Sequence, residues 1–93
     1  MVLFMYQKNK IEVMIYKIYS KIMEDPYHAD LTIEEIKTFL IRCGFEHRNK
    51  GSSHNIFTHP QYDGILTIPT KHGRHVKGAY IKMIREALIE LDM

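Results

Sequence analysis

Cysteine occurs once in the chain, as Cys43, so no internal disulfide and no thiolate metal cluster can form. That usage suits a reducing compartment, and a lone cysteine on a helix reads as a small core residue. Long apolar runs are missing as well: nothing approaches the roughly 20 residues needed to cross a bilayer. The first residues, MVLFMY, are apolar, but Glu12 and several lysines follow them, whereas a signal peptide places its charge before its apolar run. The expected location is therefore cytoplasmic, with no membrane partner. Repeats, low-complexity tracts and linkers are also wanting, and 93 residues suit one small domain spanning 1–93.

Carboxylates run short in one region. The net charge is only +2, yet between His47 and Lys77 Asp63 is the sole acidic residue. Arg48, Lys50, Lys71, Arg74 and Lys77 lie in that stretch, joined by His47, His54, His59, His72 and His75. A local basic face beside an unremarkable total charge points to an anionic partner.

What is present is ordinary globular material: 45% hydrophobic and 26% charged residues argue against disorder. Apolar residues at Ile11, Met14, Ile15, Ile18 and Ile22 predict a helix over 10–24, ended by Asp25-Pro26. The stripe is too apolar to leave in water and is expected to pack on the rest of the domain. A second helix starts near Leu31, with Thr32 and Glu35 as a capping box and Ile33, Ile36, Phe39, Leu40 and Cys43 on one face. Gly44 is its left-handed stop.

Three short strands follow in the pattern. They are expected over 45–48, 53–59 and 65–68, with turns at 49–52 and 61–64, the second read from Asp63-Gly64. Pro60 and Pro69 close the second and third strands. A polar loop over 71–78 leads to a last helix over 79–91, whose buried stripe is Tyr80, Ile81, Ile84, Leu88 and Leu91. The expected fold is α+β, a three-stranded antiparallel sheet with helices on one face and the other face open.

Several segments taken together resemble the HicA family of bacterial and archaeal toxins: "FLIRCGFEHRNKGSSHNIF", then "THP", "LTIP" and "VKGAYIKMIREALIEL". The resemblance covers 31–91, and 1–28 looks like an N-terminal helical extension. It implies a fold like a double-stranded-RNA-binding domain. It also implies a toxin ribonuclease, an mRNA interferase, neutralised by a HicB-type antitoxin protein. The family's active-site histidine follows a Gly-Ser pair and aligns with His54, although this chain reads Gly51-Ser52-Ser53-His54.

One histidine can act on RNA because RNA supplies its own nucleophile, the 2′-hydroxyl. An imidazole titrates near neutral pH and serves as general acid or base. Lys50 and Lys77 are candidates to stabilise the charged phosphorane oxygens. The chemistry on this reading is metal-independent and uses no cofactor. Gly51, Ser52 and Ser53 bring a flexible turn to the phosphate, and Lys71, Arg74 and Lys77 form a basic RNA-contacting loop. His72 and His75 lack Cys, Asp or Glu neighbours in sequence to complete a metal site. His59 reads as a strand-end cap and His47 as surface. Since 54 and 57 lie on opposite faces of a strand, Phe57 should turn to the helices and His54 to the open face. An acidic or apolar antitoxin surface is expected to cover His54. A non-catalytic module gripping duplex RNA is the competing reading, because the basic residues fit it equally well. A pure protein-interaction domain would leave the basic loop without a use.

Overall fold

Asn9 starts the first helix, its side-chain oxygen accepting from the Glu12 amide at 2.8 Å. The computed structural model describes residues 9–51, 53–70 and 74–93. Within them lie α1 (Lys10–Glu24), a short 3-10 turn (Pro26–His28), α2 (Ile33–Arg42), β1 (Glu46–Lys50), β2 (His54–His59), β3 (Tyr62–Pro69) and α3 (Gly78–Glu90). The order is that of the expected α+β fold, and a double-stranded-RNA-binding-domain-like description is consistent with it. No helix among the described residues is long and apolar enough to cross a membrane.

The helix ends follow from local chemistry. Thr32 and Glu35 form the capping box: the Thr32 hydroxyl accepts from the Glu35 amide at 3.2 Å, and the Glu35 carboxylate accepts from the Thr32 amide at 3.0 Å. After α2 the chain turns at Gly44, with φ of 98°, and the Phe45 amide returns to the Leu40 carbonyl at 3.0 Å. That turn aims the Phe45 ring into the core and launches β1.

The sheet is antiparallel, in the order β1-β2-β3. Its helix-facing side carries Phe57, Leu66 and Ile68, all buried. They join Ile36, Phe39 and Leu40 of α2 and Ile81, Ile84, Ala87 and Leu88 of α3 in one cluster. From α1, Ile18 and Ile22 enter the same cluster fully buried and Ile15 packs half-buried against it, while Ile11 is exposed. The first helix thus packs on the body through its middle and end, as its stripe predicts. Each such buried side chain is worth roughly 1.5–3 kcal/mol relative to exposure. Ala87 belongs to the α3 stripe as well, with Tyr80 and Leu91 at its half-buried margins.

The strands depart from the sequence expectation in two places. β1 lies over Glu46–Lys50, so its end reaches into the expected 49–52 turn. The second turn is not at 61–64: Pro60 and Gln61 make it, and β3 already begins at Tyr62. His59 explains the tight reversal, since its Nδ1 accepts from the Gln61 amide at 3.0 Å. Gly64 sits inside the strand beneath the Tyr62 ring, where a Cβ would come within 2.7 Å of the phenol. The glycine therefore serves close approach rather than a turn. A register shift between Phe57 and His59 absorbs the extra residues on β3.

Candidate functional site

The site is built where β1 and β2 meet at one end of the open face. Lys50 and His54 are directly opposed across the antiparallel pair. Opposed residues hold their Cβ atoms about 4.5–5.5 Å apart on the same face, so the Lys50 ammonium reaches the His54 ring with ease. Phe57, three residues along β2, is wholly buried on the other side, so alternation leaves His54 exposed on the open face. The expectation drawn from strand parity is met without any bulge next to His54: β1 and β2 pair one-to-one from Lys50–His54 through Glu46–Thr58. Ile56, on the His54 side, is only half-buried.

Between the two residues the chain turns through Gly51, whose φ is 69°. L-residues with a side chain rarely adopt that backbone. A Cβ there would meet nothing within 4 Å, so the glycine is required by conformation and leaves open space beside the turn. The start of β2 is held from below. The Ser53 carbonyl accepts from the Thr70 amide at 2.8 Å, which extends the β2–β3 ladder one step beyond His54. The Ser53 hydroxyl lies 3.4 Å from His54 Nδ1, a long contact that would leave Nε2 facing outward.

Register adds a cation that composition alone does not single out. Arg48 pairs with Ile56, on the same face as Lys50 and His54, and is exposed. Diagonal neighbours on one sheet face are about 7–8 Å apart, within reach of a long guanidinium side chain. Thr67, opposite Ile56 on β3, places a hydroxyl on the same surface. Arg48, Lys50 and His54 thus form a basic cluster around one half-buried isoleucine. Among the described residues, no ion pair engages Arg48 or Lys50.

The remaining histidines have other partners. His47 is on the helix-facing side, half-buried, with its ring 4.9 Å from that of Phe57. Its Nε2 donates to Asn55 Oδ1 at 2.9 Å, and Asn55 in turn donates to the Ile68 carbonyl at 3.3 Å. It is a structural residue, not the surface residue expected from sequence. His59, at the far end of β2, packs edge-on against Phe45 at 5.0 Å and caps the turn, as expected. Five residues of extended chain put it about 16 Å from His54, too far to share a proton with it.

The loop before α3 is stitched to the start of α2. The Ile33 amide donates to the Arg74 carbonyl at 2.8 Å and the Val76 amide to the Leu31 carbonyl at 2.9 Å. Arg74 donates through Nε and Nη2 to one oxygen of Glu34, at 3.0 and 2.9 Å, and this hydrogen bond holds the Glu34 carboxyl below its usual range. His75 pairs with Asp30 at 3.0 Å. Lys77 is exposed at the start of α3, whose first turn holds no acidic residue. Ser52, Lys71 and His72 lie outside the described residues. No three His, Cys, Asp or Glu side chains converge among those described.

Of the residues singled out from sequence, Lys50, Gly51, Ser53 and His54 come together. Arg74 is engaged with Glu34 at the α2 side, and Lys77 is the exposed N-cap residue of α3.

Comparison with known proteins gives one family. The model described as "HicA toxin of bacterial toxin-antitoxin" matches residues 33–90. No curated protein and no solved structure matches the chain.

Proposed function

Since the chain belongs to the HicA family of bacterial toxin–antitoxin toxins, we propose that it is a metal-independent endoribonuclease acting on mRNA, with His54 as its catalytic residue and a HicB-type antitoxin as its inhibitor. The observation that carries this reading is the exposed imidazole of His54 directly across the strand pair from Lys50, beside a glycine turn, on a sheet face that none of the described helices buries.

The chemistry needs few groups. His54 takes the proton from a ribose 2′-hydroxyl, whose oxygen attacks the adjacent phosphorus. The bond from phosphorus to the 5′-oxygen breaks, leaving a 2′,3′-cyclic phosphate, and the departing oxygen takes a proton from water. The cations of Lys50 and Arg48 stabilise the charge that gathers on the non-bridging oxygens. The open space beside Gly51 lets the phosphate approach the backbone of the turn. Ser52, Ser53, Lys71, Arg74 and Lys77 complete the proposed RNA-contacting set, with Arg74 first having to exchange Glu34 for phosphate. Contacts of this type give affinity without sequence choice.

The test is cleavage of a transcript by purified protein in the presence of a chelator, beside thermal melting of the same samples. His54→Ala is expected to retain its melting temperature and lose about 10²- to 10⁴-fold in cleavage rate, the usual contribution of general acid–base catalysis. A folded His54→Ala chain that cuts at the wild-type rate removes the catalytic assignment. A wild-type chain that binds duplex RNA without cutting it favours the binding module.

A further inference from the structure

β1 is an edge strand: among the described residues it pairs with β2 and with nothing on its other side. It is also a regular edge. All five of its residues pair one-to-one with β2, and it contains no proline or glycine. The opposite edge, β3, ends in Pro69 and carries the register shift. Irregular, proline-bearing edges are poor templates for an added strand, and regular ones are good templates.

The two sides of β1 differ in chemistry. On the open face its exposed side chains are Glu46, Arg48 and Lys50, the two cations lying at the end next to His54. At the edge of β1 nearest α2 an open hollow of about 500 Å³ is lined by Ile41, Phe45 and His47 and, from the open-face residues, by Glu46 and Arg48. Ile41, half exposed, puts an apolar side chain on the surface at this hollow.

We infer that β1 accepts an extended strand from a protein partner, one in which carboxylates alternate with apolar residues. This rests on the toxin–antitoxin reading and names how the partner would engage the site. Main-chain hydrogen bonds to the β1 edge supply affinity, and alternate side chains supply specificity. With the period of two, the partner's carboxylates fall on the open face beside Arg48 and Lys50, and its apolar residues fall on the helix side, next to the exposed Ile41. Paired in this way, the two cations no longer bind phosphate, and the added strand walls off one side of His54. A second copy of this chain is a worse occupant, because antiparallel self-pairing centred on Arg48 would set two guanidiniums face to face.

The probe is a blocked peptide of about eight residues alternating glutamate and valine, titrated into isotope-labelled full chain and followed by amide exchange. Alternate amides of β1 are expected to slow by about tenfold or more as edge hydrogen bonds form. A peptide N-methylated at its edge-facing amides, and one with lysine for glutamate, are expected to leave β1 unchanged. Three outcomes overturn the inference: no effect on β1 at millimolar peptide; shifts at the Arg48 and Lys50 side chains with no slowing of β1 amides; or β1 protection without peptide in a chain of doubled mass, which marks self-pairing. RNA cleavage does not enter this measurement, so its failure leaves the ribonuclease reading standing, and the reverse holds too.

Discussion

On β2, Phe57 has no exposed surface, while His54, three residues earlier, stands in water beside Lys50. The same contrast runs across the sheet: Phe57, Leu66 and Ile68 face the helices, and Arg48, Lys50, His54 and Thr67 face away. The difference separates two tasks that a chain of this size has little room to separate otherwise. One side of each strand supplies stability, and the other can hold polar, chemically useful groups at almost no cost to the core. Substitutions on the two faces should therefore fail in different ways.

The strongest way to break that comparison is Phe57→Ala. Removing a fully buried ring should cost about 3–5 kcal/mol, a large part of the stability of so small a domain. His54→Ala, at an exposed position, should stay within about 0.5 kcal/mol of wild type. Denaturant titration of both variants checks this, and equal losses would mean that the faces are not independent. Next in size is Lys50→Ala, which should slow transcript cleavage by about tenfold, equivalent to about 1.4 kcal/mol in the barrier, while leaving the denaturation midpoint unchanged.

His59→Ala sharpens the contrast from the boundary. It removes an edge-on contact with Phe45 and the acceptor for the Gln61 amide, so a loss of about 0.5–1.5 kcal/mol is expected, with cleavage rate intact. The smallest effect belongs to the Arg74–Glu34 pair. The folded carboxyl of Glu34 is held below its unfolded value by Arg74, so its contribution is present at neutral pH and fades as pH falls through the carboxylate range. Both side chains are exposed and screened, so the contribution is slight. Comparing wild type with Glu34→Gln by denaturant midpoint should show a small advantage at about pH 7 that vanishes near pH 3.

The helices were legible because each signal was local. Periodicity located α1, α2 and α3, and the Thr32–Glu35 box and Gly44 set the limits of α2. The face of His54 was legible too, since it needed only strand parity relative to Phe57. Asp63-Gly64 misled because the same glycine that permits a turn also permits a ring to lie on the backbone, and the Tyr62 ring is invisible to dipeptide rules. His47 was misread because β1 has few apolar neighbours to show which side is inward, and its packing on Phe57 depends on pairing between strands. Arg48 was missed as a site residue for the same reason: only the register places it next to Ile56, on the side of His54.

The approach of the 3-10 turn to α3 has a consequence for where this chain can be cut. The family match begins at residue 33, yet Gly78, inside the match, lies so close to Tyr27, outside it, that a Cβ would come within 2.7 Å of the Tyr27 Cα. Ile18, Ile22, Ala29 and Leu31, also outside the match, are buried in the shared core. Trimming the gene to 33–90 would thus strip a wall from a greasy interior and yield a sticky, poorly soluble fragment. Transplanting the leading segment onto a relative with a bulkier residue at the position of Gly78 would meet a steric veto.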